Sequence, residues 1–171
     1  MNLTMKKAVI EDAEKIADLI QDVYEDMEQK AWYVPDNAEY TRKMMESGKG
    51  VVYEAVDEDT GIMAGIVMAT YPGICEENLG NEIGLSANQM LDVVHMESAA
   101  VRPEYRGNGI QGKLMDEAEK EAVERGKHYL MCTIHPDNRF SKANAMNRGY
   151  HVMKTKEKYG GLIRDIMLKI V

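Results

Sequence analysis

The sequence predicts an α/β protein of the α+β type, with a mixed central sheet of about six to seven strands flanked by about four helices. Three observations predict it. Apolar residues recur at helical spacing in some stretches and as short β-branched runs in others. The order of those stretches is strand, two helices, three strands, helix, strand, helix, two strands. That order departs from the regular strand–helix alternation of a parallel sheet. At 171 residues, 44% of them hydrophobic, the chain fills one core, so residues 1–171 read as a single domain.

Each element has its own signal. Residues 5–9 are a short strand candidate. Ala13, Ile16, Ala17, Ile20, Val23, Tyr24 and Met27 then repeat at helical spacing behind acidic residues, a helix start. Residues 28–36, with Trp32, Tyr33 and Pro35, read as a loop, and Asn37 caps a second helix through Glu46 that Gly48 and Gly50 end. Residues 51–56 and 62–70 flank an Asp-Glu-Asp-Thr-Gly turn as an antiparallel hairpin. Residues 71–92 form a long loop insertion with room for a short helix within 86–91, and loops of that length are often functional. An apolar strand starts at Val93, and a helix from near Ile110 puts Ile110, Leu114, Met115, Ala118 and Ala122 on one face before Gly126. Residues 129–134 are a strand. Residues 138–148 are a helix closed by Gly149 in a left-handed position. Residues 150–156 and 162–170 form a last hairpin around Gly160-Gly161.

Composition narrows the function classes. A net charge of -8 and a pI near 5.1 argue against a nucleic-acid partner, which needs a basic face. No apolar run approaches the ~20 residues that span a bilayer, and the N-terminus lacks a signal peptide's apolar segment, so no membrane association is expected. Cys75 and Cys132 belong to no CxxC pair, which suits a reducing cytoplasm and gives no metal spacing.

The informative stretch lies between Val93 and Met115. An apolar strand turns through Arg102-Pro103-Glu104-Tyr105, meets Arg106-Gly107-Asn108-Gly109, and enters a helix. A glycine-rich turn at a helix N-terminus offers free backbone N–H groups and a favourable dipole to phosphate, and Arg102, Arg106 and Lys113 add positive charge. Gly107-Asn108-Gly109-Ile110-Gln111-Gly112 matches the dinucleotide fingerprint literally. That reading needs an acidic residue at the end of the next strand, and the strand ending near Thr133 has none. A phosphate-binding loop of the Gly-x-x-x-x-Gly-Lys kind needs Ser or Thr where Leu114 stands.

A third pattern takes in more of the chain. The run from Met96 to Ile110, an apolar strand, a Pro-containing turn and Arg106-Gly107-Asn108-Gly109, resembles the acetyl-CoA-binding motif of the GNAT superfamily of N-acetyltransferases. Gln111 replaces the small last residue of that motif, with Gly112 one step later. The downstream helix resembles the family's second motif, an Asn followed eleven and twelve residues on by Gly and an aromatic, here Asn138, Gly149 and Tyr150. The order of elements resembles the family over essentially the whole chain. The resemblance implies the GNAT-like acyl-CoA N-acyltransferase fold and transfer of an acetyl group from acetyl-CoA to a primary amine in a ternary complex, with no metal.

It also implies roles. Amides of Arg106, Gly107, Asn108, Gly109, Ile110, Gln111, Gly112 and Lys113 would hold the pyrophosphate. Ala99, Ala100 and Val101 would meet the pantetheine arm like an added strand and polarise the carbonyl, unless they are only core residues. Asn138 would bind the arm, a role compatible with its reading as a helix cap, and Ser141 and Asn144 would hydrogen-bond the arm or the sulfur. Glu97 is the candidate base, directly or through water, with His95 second and Glu54 third. The family often carries a Tyr general acid seven residues after the Asn; that position is Ala145, leaving solvent, His135 or Tyr150. Neither cysteine is placed for a covalent acyl-enzyme.

Trp32, Tyr33, Tyr159 and the 71–92 segment would face the acceptor, a small-molecule amine or a protein or peptide amine. Glu76, Glu77, Glu82 and Asp92 would suit a cation there or form a solvated acidic face. Dimers are common in the family, so a homodimer is allowed for. The alternative reading, favoured by the missing Tyr, is a GNAT-fold module that binds acyl-CoA without turnover.

Overall fold

Residues 1–171, all described by the computed structural model, follow the predicted order with one short helix added. They run β1 (Leu3–Lys7), α1 (Ala13–Asp26), α2 (Ala38–Glu46), β2 (Gly50–Asp57), β3 (Ile62–Thr70), α3 (Ala87–Met90), β4 (Val93–Val101), α4 (Ile110–Glu124), β5 (Tyr129–Ile134), α5 (Arg139–Asn147), β6 (His151–Lys158) and β7 (Leu162–Ile170). The strands make one mixed sheet, ordered β1-β2-β3-β4-β5-β7-β6. The β4–β5 pair is parallel; β1–β2, β2–β3, β5–β7 and β6–β7 are antiparallel. No helix is long and apolar enough to cross a membrane.

Local chemistry explains most boundaries. Asn37 caps α2 by accepting the Tyr40 N–H at 2.8 Å, and a Ser86–Gln89 capping box starts α3. Gly149 ends α5 at φ 91°. The first strand lies two residues earlier than its spacing predicts, because Ile10–Asp12 is already a 3-10 turn leading into α1. The 71–92 segment is not structureless: it holds a 3-10 turn, Leu79–Ile83, as well as α3.

The chain divides into two compact units. The first comprises Met1–Lys30, Val34–Thr70 and Met96–Glu121. In it α1 packs on α2 and β3, and α2 on β2, with Ala13, Ile16, Leu19, Ile20 and Val23 of α1 buried. The predicted apolar face of α4 is buried throughout its length.

The second unit comprises Ala31–Tyr33, Tyr71–His95 and Ala122–Val171. Its core joins Leu79, Val93, Met131, Ile166 and Leu168. Glu82, on the 3-10 turn, fastens the 71–92 segment to β6. Alternate residues of a strand share a face, and Lys154, Lys156 and Lys158 all reach Glu82, at 3.5, 3.0 and 3.0 Å. Its carboxyl is held down at about 2, first by the Lys156 bond and then, against its burial, by Lys158.

A carboxyl with a depressed folded value contributes stability that is complete above its unfolded value, near 4.5, and is lost as pH falls towards 2. We expect Glu82→Gln to cost about 2 kcal/mol at pH 7, allowing for screening of the half-exposed lysines. It should also flatten the fall in stability between pH 4.5 and 2, as read by urea unfolding across that range.

Candidate active site

In the first unit the turn after β4 is anchored before it is shaped. The β2–β3 ladder slips by one residue: Ala55 pairs with Gly65 and Val56 with Met63, so Ala64 is left unpaired. That bulge frees two carbonyls for Arg102, whose amide donates to Ala64 at 2.9 Å and whose Nε donates to Met63 at 3.0 Å. Its guanidinium also meets Asp22 of α1 at 2.8 Å. Arg102 is therefore a strut, and not the phosphate cation its position in the sequence suggests.

The 3-10 turn Pro103–Tyr105 follows. Buried Tyr105 donates its hydroxyl to Asp57 of β2 at 3.0 Å. Burial alone would raise the Asp57 carboxyl, but bonds from Tyr105, the Asp59 and Asn2 amides and Thr60 outweigh it and hold the group below its ordinary value. Beyond the anchor, Gly107 and Gly109 take φ 81° and 69°, a backbone that other residues adopt only with strain. The Asn108 amide group donates to the Tyr105 and Arg106 carbonyls at 3.0 and 3.3 Å. Lys113 N–H donates to Gly109 as α4 begins, and Ile110 and Gln111 lie in its first turn. Nothing stands within 4 Å of a Cβ built on Gly107 or Gly109, so the turn is an open cradle. Gly112 and Ile110 are buried and Lys113 is exposed. Arg106 is tied loosely, to Asp26 at 3.5 Å and the Val101 carbonyl at 3.3 Å.

Along β4, Ala100 is buried while Ala99 and Val101 are half-buried. Glu97 is exposed and accepts from two hydroxyls, Tyr40 of α2 and Thr70 of β3, the latter at 2.6 Å. Ser98 donates to Asp36, in the loop before α2. No local periodicity points to Asp36, Tyr40 or Thr70, which are 62, 57 and 27 residues from their partners. Glu54 is buried, and the exposed Lys6 of β1, its cross-strand partner, meets it at 3.4 Å, so its carboxylate is engaged in an ion pair.

The second unit holds the remaining candidates. The Nε2 of His95 accepts the Leu79 N–H at 3.0 Å, and burial, helped by Lys158, lowers the ring to about 4. His95 is thus a neutral packing group whose lone pair is occupied. Asn138 caps α5, its side chain accepting the Ser141 N–H at 3.3 Å. The Asn144 side chain accepts from Arg148 at 2.7 Å, and Ser141 is half-buried on the same helix. Ala145 is buried at 1% exposure. Trp32 stacks on His135 with ring centroids 5.9 Å apart, and Tyr159 shares a hydrogen bond with Thr133 at 3.0 Å. The Glu82 charge is taken up by lysines, so it does not offer itself to a cationic acceptor. Burial pushes the Cys132 thiol up to about 12, too high for a nucleophile near neutral pH.

A family model, the Acetyltransferase (GNAT) family, matches residues 13–150. The chain belongs to the GNAT acetyltransferase family. Solved GNAT-type structures agree in fold. The GNAT-family acetyltransferase of Streptococcus pneumoniae superposes with a TM-score of 0.77 at 16% identity, covering 99% of each chain. A ribosomal-protein-alanine N-acetyltransferase from Brucella melitensis gives 0.72 at 22% identity, over 98% of this chain and 99% of its own. The GNAT phosphinothricin acetyltransferase of Sinorhizobium meliloti, solved in complex with acetyl-CoA, gives 0.73 at 20% identity, over 100% of this chain and 89% of its own. No curated protein matched the sequence.

In this GNAT chain one glycine outside the motif sets the cradle's position. A Cβ on Gly65 of β3 would lie 3.0 Å from the Ala100 carbonyl oxygen and 3.1 Å from both Ile110 and Val101. The neighbours on two sides are backbone and packed β-branched side chains, which give little. Gly65→Ala should cost about 1–3 kcal/mol through overpacking, seen as a melting temperature lower by a few degrees. An unchanged melting temperature would show that β4 can retreat freely.

Proposed function

We propose that this chain is an acetyl-CoA-dependent N-acetyltransferase that moves an acetyl group directly to a primary amine in a ternary complex. The observation that carries the reading is the open glycine cradle between β4 and α4 in a chain of this family. Acetyl-CoA, when bound, supplies the activated acetyl thioester. The chain's own residues hold and orient. Amides of the turn from Gly107 to Gln111 receive the pyrophosphate at the start of α4, where the dipole favours an anion. The Arg106 and Lys113 amides are spent on the Pro103 and Gly109 carbonyls, so those two residues bring their side-chain charge instead. Ala99 and Val101 offer backbone groups to the pantetheine arm, the small Ala99 and Ala100 let it approach closely, and a β4 N–H polarises the carbonyl. Asn138 would bind the pantetheine arm, and Ser141 and Asn144 would hydrogen-bond the arm or its sulfur.

Glu97 takes the ammonium's proton, directly or through water. Its support is position: it is exposed, on the same strand, and its carboxylate is oriented by Tyr40 and Thr70. We read residues 1–171 as one N-acetyltransferase domain working in the cytoplasm, in keeping with two free cysteines. The acceptor is a small-molecule amine or a peptide amine, two classes represented among the structural relatives. The burial of Ala145 where the family often has its Tyr favours one rival, a module that binds acyl-CoA without turnover. Free-thiol release on incubation with acetyl-CoA and an amine panel decides between them; tight binding with no release for any amine would leave only the module.

Two variants test the assignments. Gly109→Asp forces a side chain into a left-handed backbone and puts a negative charge beside the pyrophosphate. It should weaken acetyl-CoA binding at least about tenfold, or about 1.4 kcal/mol, by calorimetry. Glu97→Gln should lower kcat/KM for the amine about tenfold to a hundredfold and leave acetyl-CoA affinity unchanged; an unaltered pH–rate profile excludes it as the base.

A further inference from the structure

We propose that Asp36 is a second carboxylate of the acceptor site, receiving the proton of the incoming ammonium while Glu97, one residue from the Ser98 that holds it, keeps the cation in place. The inference rests on the proposed function for where the amine arrives, beside Glu97, and moves the proton-accepting role assigned there to Glu97 onto Asp36.

The backbone at Asp36 is fixed on both sides of the site. Its neighbour Asn37 caps α2, and its own Oδ2 accepts from Ser98, which lies between Glu97 and Ala99 on β4. Oδ1 carries no hydrogen bond from the chain. The two carboxylates are engaged differently: both oxygens of Glu97 are held by hydroxyls, one each from Tyr40 and Thr70, whereas Asp36 keeps one oxygen to spare.

The charge surroundings point the same way. Several inward carboxylates are paired with cations, Glu54 with Lys6, Glu121 with Lys7, Asp165 with Lys142 and Glu82 with three lysines. Buried Asp57 is held instead by the Tyr105 hydroxyl and the Asp59 and Asn2 amides. Asp36 and Glu97 have hydroxyl partners and no lysine, arginine or histidine. The groups facing Asp36 are Ser98 and Glu97 from β4, with Tyr40 of α2 on Glu97. Two neighbouring carboxylates without a cation resist joint ionisation. Burial first, and then the Glu97 charge, raise Asp36 to about 6, against the opposing bond from Ser98. A carboxylate in that range is ionised at neutral pH yet basic enough to take a proton. Paired acids in unlike environments divide their labour in this way.

The step balances simply. One N–H bond of the ammonium breaks, its electron pair stays on nitrogen as the amine nucleophile, and an O–H bond forms at Asp36 Oδ1. The proton leaves to solvent before the next turnover.

The test uses the full-length protein, with n-butylamine and an alanyl tripeptide amide as probe amines. A carboxyl 13C NMR titration should place Asp36 near pH 6 and move it lower when n-butylammonium is added. Asp36→Asn should lower kcat/KM about a hundredfold at pH 7 and remove the acid limb near pH 6. It should leave acetyl-CoA affinity unchanged, and Asp36→Glu should retain most of the rate. Should the amide variant misfold, Ser98→Ala raises the Asp36 midpoint and the acid limb together. An Asp36 midpoint in the ordinary carboxylate range, or one unmoved by n-butylammonium, overturns the proposal, as does an Asp36→Asn profile like the wild type. If Glu97→Gln slows transfer while Asp36→Asn does not, this inference fails and the Glu97 reading stands; the reverse result removes Glu97 and leaves Asp36 as the base. A wild-type protein that releases no thiol with any amine overturns both.

Discussion

Arg102 ties the end of β4 to the slipped segment of β3 and to α1, through the Ala64 and Met63 carbonyls and the Asp22 carboxylate. The rest of the cradle depends on that attachment. A turn with two residues at positive φ has no ladder of its own, and backbone polar groups must still find partners. Here the partners are supplied from outside the turn: Tyr105 reaches back to Asp57, and the Asn108 side chain closes the loop on itself. The exposed part, Arg106 to Gly109, can then stay open because strain and desolvation have been settled one turn earlier. Gly65 completes the arrangement by letting β3 approach Ala100 and Ile110 closely enough for the bulge carbonyls to meet Arg102. Its role is spatial, whereas that of Gly107 and Gly109 is conformational; one residue type is used for two different physical reasons.

Elements that repeat were readable in the sequence. The buried face of α4, the Asn37 cap, the left-handed Gly149 and the β2–β3 and β6–β7 hairpins all follow from spacing over a few residues. The glycine turn was readable for the same reason, and read with Asn138 and Tyr150 it led to the GNAT family. What escaped was set by contacts between distant residues. Arg102 looked like a phosphate ligand because it stands beside Arg106, yet a bulge nearly forty residues away claims it. Glu82 looked like part of an acidic wall because its neighbours in sequence are acidic, yet three lysines on a strand more than seventy residues downstream surround it. His95 looked titratable because histidine ordinarily is; a backbone amide and burial make it otherwise. In each case local composition misjudged a charge whose partner arrives by topology.

The same distinction separates cofactor binding from proton transfer. Holding a pyrophosphate asks for backbone N–H groups at a helix start, and main-chain geometry is dictated locally by glycines and a turn. Moving a proton asks for a side chain whose affinity is set by its surroundings, which only the assembled fold provides. Asp36 illustrates the point. Nothing next to it in the chain distinguishes it from the other acids of a protein with 29 Asp and Glu residues. Its character comes from Ser98 and Glu97, brought to it across 62 residues. Asp36 and Glu97 are neighbouring carboxylates with hydroxyl partners and no cation, which concentrates negative charge at one place on β4. An arriving cation would relieve that concentration, which on electrostatic grounds favours an ammonium as the acceptor's reacting group.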